Sequence, residues 1–402
     1  MAYEEVDPVS PEADGVTPGG AEAAAEALFT RVREELLARR ATPLSTYRLQ
    51  FHAQFRFEDA LALVPYLKRL GVSHLYASPY LKAVPGSTHG YDVVDHAQLN
   101  PEVGTPEEHA RLAAALQEAG LGQVLDVVPN HMGIERFNPL WFDVLENGPS
   151  SVYAAFFDID WEPVKAELKD KVLLPILGDQ YGVVLERGEL KLAFQDGAFF
   201  IDYYEHRFPV APRQYARVLE LGLERLAQQL GEGDPQFIEL QSILTAIHHL
   251  PPRTETGRAR VRERAREKEV IKRRLAAVAA ASPAIQAHIA RNVKALNGTP
   301  GEARSFDALD ALLQGCSYRL AHWRVAGEEI NYRRFFDING LAALRVEDPE
   351  VFEEAHALVF RWLCEGKVTG LRIDHPDGLF DPTAYFLDLQ ERYFLEHARA
   401  RK

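Results

Sequence analysis

Between Thr42 and Val128, short β-prone runs alternate with amphipathic stretches, and this order constrains the fold more than any single motif. Ser45 to Phe51 reads as a first strand. Phe57 to Leu70 reads as an amphipathic helix that Gly71 closes, and Val72 to Tyr80 as a second strand. Thr105-Pro106-Glu107-Glu108 supplies an N-cap, a proline at the first helical position and a glutamate two residues on, so a helix is predicted from there to Gly120. Gln123 to Val128 is almost continuously apolar, as a strand covered on both faces should be. A β-α-β-α-β order predicts a parallel sheet joined by right-handed crossovers. The same pattern returns late in the chain. Asp348 to Glu365 is a capped helix, Val368 to Asp374 a strand and Pro382 to Arg399 a helix. Four β/α units are half of the eight that close a (β/α)8 barrel. The expected fold is therefore α/β, the first half of such a barrel, with a long, mainly helical insertion after the third strand.

The chain divides accordingly. Residues 1–41 read as a disordered lead followed by a helix, in which Ala24, Leu28, Val32 and Leu36 fall on one face. Residues 42–131 hold strands one to three, 132–330 the insertion, and 331–402 the resumed barrel through strand four and helix four. Within the insertion, Arg187-Gly188 and Asp196-Gly197 punctuate three β-rich runs between Tyr181 and Tyr204, a predicted meander. Gln214 to Gly327 is mainly helical. Arg258 to Arg274, dense in both signs of charge, reads as a solvated helix, with a phosphate or nucleic-acid site as the less favoured alternative because no stacking aromatics interleave the charges.

Composition excludes several classes of function. Hydrophobic residues are 47% of the chain, too many for a disordered protein, and 45 basic against 59 acidic residues give a net charge of −14, which disfavours a nucleic-acid partner. Two cysteines, Cys316 and Cys364, cannot staple a secreted scaffold. The first residues lack a signal-peptide pattern, and no stretch is apolar for long enough to span a membrane. A soluble, cytoplasmic protein without a membrane partner is expected. No Walker, dinucleotide, H-E-x-x-H, C-x-x-C or EF-hand spacing occurs, so neither a metal nor a cofactor has sequence support.

Chemistry concentrates at predicted strand ends. The third strand ends Asp126-Val127-Val128-Pro129-Asn130-His131 and the fourth Gly370-Leu371-Arg372-Ile373-Asp374-His375. Parallel barrels place their catalytic groups at this end. Arg372 and Asp374, two apart on a strand, share a face, where the guanidinium would keep the carboxylate ionised for nucleophilic attack. The same pair could equally be a structural tie. Asp126, inside its strand, reads more as an organiser of hydrogen bonds than as a reacting group. After strand two, Pro85-Gly86-Ser87-Thr88-His89-Gly90-Tyr91-Asp92 combines flexible glycines, two sugar hydrogen-bonders (His89 and Asp92) and an aromatic plate, Tyr91.

Together these segments resemble the α-amylase superfamily, glycoside hydrolase family 13. Asp126…Asn130-His131 looks like its first signature region, Gly370-x-Arg372-x-Asp374 like its second, and Gly90-Tyr91-Asp92 like its sugar-stacking loop. Four strings narrow the resemblance to the maltooligosyl trehalose synthases within that family. They are Ser45 to Gln50, Gly86 to Asp92, Asn331 to Asp337 and Gly370 to Leu379. The resemblance implies isomerisation of the reducing-end α-1,4 bond of a maltooligosaccharide to an α,α-1,1 bond by intramolecular glucosyl transfer. It implies Asp374 as nucleophile, Arg372 as the residue that orients and charges it, His131 and Tyr91 as sugar contacts, His375, Asp92 and His89 as further contacts, and Asp126 and Asn130 as support. It also implies a functional partnership with a trehalohydrolase.

In that family the acid/base glutamate follows strand five. Neither Glu135 nor Asp377 matches its motif, so no acid/base residue is assigned and the chain is expected to be truncated. The missing C-terminal half is then a partner, and the chain alone is expected to be inactive. Strands one and four would be open edges, with Val124, Val128 and Leu371 expected to face an uncovered interior. The insertion, from about residue 138 to 330, is expected to seal the site against water, and the hairpin at Asp196-Gly197 takes part in this if it reaches the pocket. An α-amylase-like hydrolase, a trehalohydrolase and a non-catalytic maltodextrin-binding fragment are the alternative readings.

Overall fold

A computed structural model describes residues 18–39, 42–134 and 136–401. Residues 1–17 of the expected lead, which runs to about residue 20, and Glu135 lie outside the described residues, while residues 18–20 belong to the first helix. Helix α1 (Pro18–Arg39) buries Val32 and packs on the last helix of the chain. Then come β1 (Thr46–Leu49), α2 (Phe57–Leu70), β2 (His74–Ala77), a hairpin of β3 (Leu81–Ala83) and β4 (Val93–Leu99), α3 (Pro106–Ala119) and β5 (Gly122–Val127). Local chemistry sets the helix ends. Thr105 Oγ1 accepts from the Glu108 amide (3.2 Å) while Glu108 accepts from the Thr105 amide (2.8 Å), a reciprocal cap. Gly71, at φ 82°, ends α2 in the left-handed conformation.

After β5 the chain leaves the sheet through β6 (His131–Gly133) and α4 (Pro139–Asn147), continuing into β7 (Val172–Leu177) and α5 (Tyr181–Glu186). A meander follows, of β8 (Lys191–Gln195), β9 (Ala198–Tyr203) and β10 (His206–Pro209). Asp196 and Gly197 both have positive φ (51° and 78°), as the tight turn between β8 and β9 requires. The meander therefore lies one element later than its composition predicts: the run beginning at Tyr181 is the helix α5, and the third strand follows Tyr204. Five helices come next: α6 (Tyr215–Leu219), α7 (Leu223–Leu230), α8 (Pro235–His249), α9 (Arg258–Ala281) and α10 (Pro283–Leu296). The excursion closes with α11 (Asp307–Gln314), β11 (Tyr318–His322), the short α12 (Ala326–Glu329) and β12 (Leu341–Ala343). Strand β11 lies parallel to β7, and β12 antiparallel to β6, so the excursion begins and ends side by side. Leu341–Ala343 thus pair with its opening strand, and residues 331–347 are not yet part of the parallel sheet. That sheet resumes through α13 (Pro349–Cys364), β13 (Gly370–Ile373) and α14 (Pro382–Arg399).

Strands β1, β2, β5 and β13 form one sheet in that order, all parallel. Their register aligns Arg48 with Tyr76, Tyr76 with Val124, and Asp126 with Arg372. Alternation then gives each face its character. Leu49, Leu75, Ala77, Leu125 and Val127 are buried on the helix-covered face. Leu371 pairs with Leu125 and shares this face, so it does not face the barrel interior as expected. The other face carries Arg48, Tyr76, Asp126 and Arg372 and is largely polar. Between sheet and helices, Phe51, Phe57, Tyr80, His109 and Trp362 pack ring against ring at 4.9–5.9 Å.

Helix α9 departs from the solvated reading. Arg264 and Lys268, four apart, are buried against α4. Lys268 Nζ donates to Asp143 (2.5 Å) and Glu146 (2.7 Å), and Lys272 reaches the other oxygen of Glu146 (2.7 Å). Burial alone would lower the Lys268 pKa, but the two carboxylates outweigh it and hold the ammonium charged.

Candidate active site

The polar face of the sheet carries a hydrogen-bonded array centred on Asp126, whose side chain is fully buried. Tyr76 and Tyr91 each donate a hydroxyl to Asp126 Oδ2 at 2.6 Å. Arg372 Nη1 donates to Asp126 Oδ1 (2.9 Å) and to Asp374 Oδ1 (2.5 Å). The Asp374 amide donates to the Val127 carbonyl (2.8 Å), which fixes the strand end that carries the carboxylate. A buried carboxylate with three charge-assisted partners is a rigid support. From the other side Arg48 donates to the Tyr91 hydroxyl (3.3 Å) and lies 5.5 Å from the Tyr76 ring centre. Burial first, and the bond to Asp126 second, raise the Tyr91 pKa, so its hydroxyl stays protonated and donating.

Tyr91 is delivered by the β3–β4 hairpin. Gly90 makes this approach possible: it has φ 77°, and a Cβ there would lie 2.3 Å from the Pro79 carbonyl oxygen. Ser87 Oγ donates to Asp92 Oδ1 (2.5 Å) and accepts from the Gly90 amide (3.1 Å), and His89 Nδ1 accepts from the Tyr91 amide (3.1 Å). The loop is therefore ordered by its own side chains. Gln50 also holds it, donating to the Thr88 carbonyl (2.6 Å).

His131 follows β5 and is 1% exposed. Burial, with nearby His375 adding to it, lowers its pKa to about 4, so the imidazole is neutral near pH 7. Its ring packs 4.3 Å from that of Phe335, which also meets the His375 ring at 4.9 Å. His375 and Phe336 both have positive φ (49° and 51°), and their rings lie 5.1 Å apart. Two strained non-glycine residues beside Asp374 mark this strand end as shaped for more than packing. Asn130 is buried and accepts from Arg333 (3.0 Å). Arg333 also donates to the carbonyls of Gly378 (2.7 Å) and Leu344 (3.0 Å) and to Asp158 (2.8 Å), pinning the loop after β13 to the excursion.

These groups border a cavity of about 570 Å³ whose lining includes His89, Tyr91, Asp92, His131, Phe335 and Asp374. Arg372 and Asp126 lie beneath it. His375 is placed behind Phe335, outside the lining. The hairpin at Asp196-Gly197 does not line the cavity: Gly197 packs against the backbone of α9 at Lys272. Phe335, Ile338, Gly340 and Leu341, which follow residues 132–330, form part of the wall, and among the described residues the insertion itself contributes Gly133 alone, so it does not seal this cavity as expected. Arg48, Tyr76 and Arg333 were assigned no site role from the sequence. The signal for Arg48 is its spacing of two from Gln50, which puts both on the inward face of β1; that of Tyr76 needed the register.

The α-amylase catalytic-domain family model matches residues 61–182. A Mycobacterium tuberculosis protein described as "Putative maltooligosyl trehalose synthase" is 36% identical over 87% of this chain and 33% of its own length. The intracellular maltogenic amylase of Bacillus subtilis is 32% identical over 36% of this chain and 24% of its own. Among solved structures, the maltooligosyltrehalose synthase of Arthrobacter ramosus is 37% identical with a TM-score of 0.58, over 87% of this chain and 33% of that one. The chain thus spans about a third of the length of the trehalose-forming relatives it matches. The parallel sheet and these likenesses give a fold of the (β/α)8 type.

Proposed function

Because this chain belongs to the α-amylase superfamily, alongside the maltooligosyl trehalose synthases, we propose that it carries one half of a site that isomerises maltooligosaccharide ends. The observation that carries this reading is Arg372 bridging Asp126 and Asp374 at the floor of a cavity walled by Tyr91 and His131. On this reading β1, β2, β5 and β13 are the first four strands of the barrel, and residues 132–330 are the insertion. A complementary half covers the open edges and supplies the acid/base.

Asp374 Oδ2, which Arg372 leaves free, attacks the anomeric carbon of the penultimate glucose, and the bond from that carbon to O4 of the terminal glucose breaks. A proton from the acid/base group goes to O4. The freed glucose turns, its anomeric hydroxyl attacks the glycosyl ester, the proton returns to the acid/base, and Asp374 is released. Two displacements retain the α configuration. Arg372 keeps Asp374 ionised. Tyr91 offers a ring face to the reacting sugar, and neutral His131, Asp92 and His89 offer hydrogen bonds to its hydroxyls. His375 orders Phe335, while Asp126 and Asn130 hold the framework. Phe335, Ile338 and Leu341 exclude water, which an isomerase must keep from the ester. A trehalohydrolase is the enzyme class that would consume the product.

The test mixes the chain with a segment covering the two-thirds of the Arthrobacter relative that it does not span, and follows maltopentaose. Isomerisation removes reducing ends without shortening the oligosaccharide, and Asp374→Asn abolishes it. Release of glucose and maltose as main products would replace this reading with an amylase-like hydrolase. Binding without turnover in the mixture would leave a maltodextrin-binding module.

A further inference from the structure

A second cavity, of about 590 Å³, lies in the inserted segment between α6, the end of α8 and α9. Its lining is basic. Arg264, 1% exposed, forms the floor: its Nε donates to Asn147 (3.0 Å) and its Nη1 to the Pro251 carbonyl, while its Nη2 is buried without a partner. Arg253, partly buried, donates to the Asp170 carbonyl. Arg213 and Arg217 stand exposed at the rim and, among the described residues, donate to the His248 carbonyl (3.5 Å) and the Gln214 side chain (2.8 Å) respectively. Among the described residues the one carboxylate in the lining is Glu220, and it is bonded to His248 (2.6 Å), not to an arginine.

Four guanidinium groups around one space, without a carboxylate among their hydrogen-bond partners, repel each other, and the unmet donor at the floor is costly to bury. Burial, with Arg213 and Arg253 adding to it against the pull of Glu146, lowers the Arg264 pKa to about 10. It remains charged near neutral pH. A ligand that accepts several hydrogen bonds and carries negative charge would relieve both penalties.

We propose that this cavity binds the tetrahedral phosphate group of free phosphate or of a small phosphomonoester, with Arg264 at the floor and Arg253, Arg213 and Arg217 around it. The planar, multiply donating guanidinium suits phosphate oxygens better than any other side chain. The cavity is larger than phosphate alone, so a sugar-sized ester fits as well. The assignment is independent of the chemistry at Asp374.

Calorimetric titration of the full chain tests it, with inorganic phosphate and separately with glucose 6-phosphate, sodium chloride holding the ionic strength constant. Saturable binding of one equivalent is expected. In the double variant R213Q/R217Q, whose exposed positions leave the fold intact by circular dichroism, affinity should fall at least about tenfold. Tighter binding of the ester identifies a phosphomonoester site, and equal or tighter binding of phosphate a site for the free anion. Absence of saturable binding by both probes, or unchanged affinity in R213Q/R217Q, would overturn the proposal.

Discussion

Asp126 shows how one buried carboxylate can organise a site without reacting. It accepts from Tyr76, Tyr91 and Arg372, so it couples the second, third and fourth parallel strands with the β3–β4 loop. Tyr91→Phe removes one of two hydroxyls on the same oxygen. Because Tyr76 remains and the ring face is kept, it should lower stability by no more than about 1 kcal/mol in urea unfolding, whereas Tyr91→Ala, which also removes the ring, should weaken maltopentaose binding by calorimetry. Unchanged affinity would confine Tyr91 to a structural role. His131 bears on pH. Its imidazole and those of His109 and His356 are each held at about 4, burial being the largest cause. An unfolded chain, with histidines near 6.5, takes up these protons first as pH falls. Their contribution to stability is therefore complete above pH ~6.5 and lost as pH falls through about 4, at up to ~1.4 kcal/mol per histidine per pH unit. Thermal midpoints measured across that window should drop steadily with acid. A flat profile would mean these rings are not held neutral.

Among the elements, legibility followed locality. The ends of α2, α3, α13 and α14 are written in caps, prolines and a left-handed glycine, signals that act within one turn. Strand spacing likewise placed Arg372 and Asp374 on one face. Pairings between distant segments were not legible. Strand β7 meets β11 and β6 meets β12 only after the excursion folds, and Tyr181–Glu186, rich in strand formers, is a helix because its surroundings outweigh propensity. The burial of the charge-dense α9 is not legible for a related reason: charge alternation marks a helix, but not which charges have partners on another helix. Lys268→Met tests its role as an anchor. It removes the ammonium shared by Asp143 and Glu146, and should cost on the order of 3 kcal/mol in urea unfolding. A loss below 1 kcal/mol would show that Lys272 compensates.

For the whole molecule, the sheet has β1 at one edge and β13 at the other, and its inward face is polar. Unpaired edges, together with exposed Tyr47 on β1 and Phe386 and Leu387 on α14, should make the chain associate with itself. Sedimentation velocity should show mass rising with concentration; a monomer throughout would mean the edges are protected. Asp374, the proposed nucleophile, can be tested without the acid/base group. Fluoride departs from a glycosyl fluoride without a proton donor, so 5-fluoro-α-glucosyl fluoride requires only an oriented carboxylate. The 5-fluoro substituent also slows loss of the ester through its oxocarbenium-like transition state, so the ester should accumulate. Peptide mass spectrometry of the treated chain should place one fluoroglucosyl group on Asp374 and none on the Asp374→Asn protein. Label on another carboxylate, or equal labelling of the two proteins, would remove Asp374 from the nucleophile role.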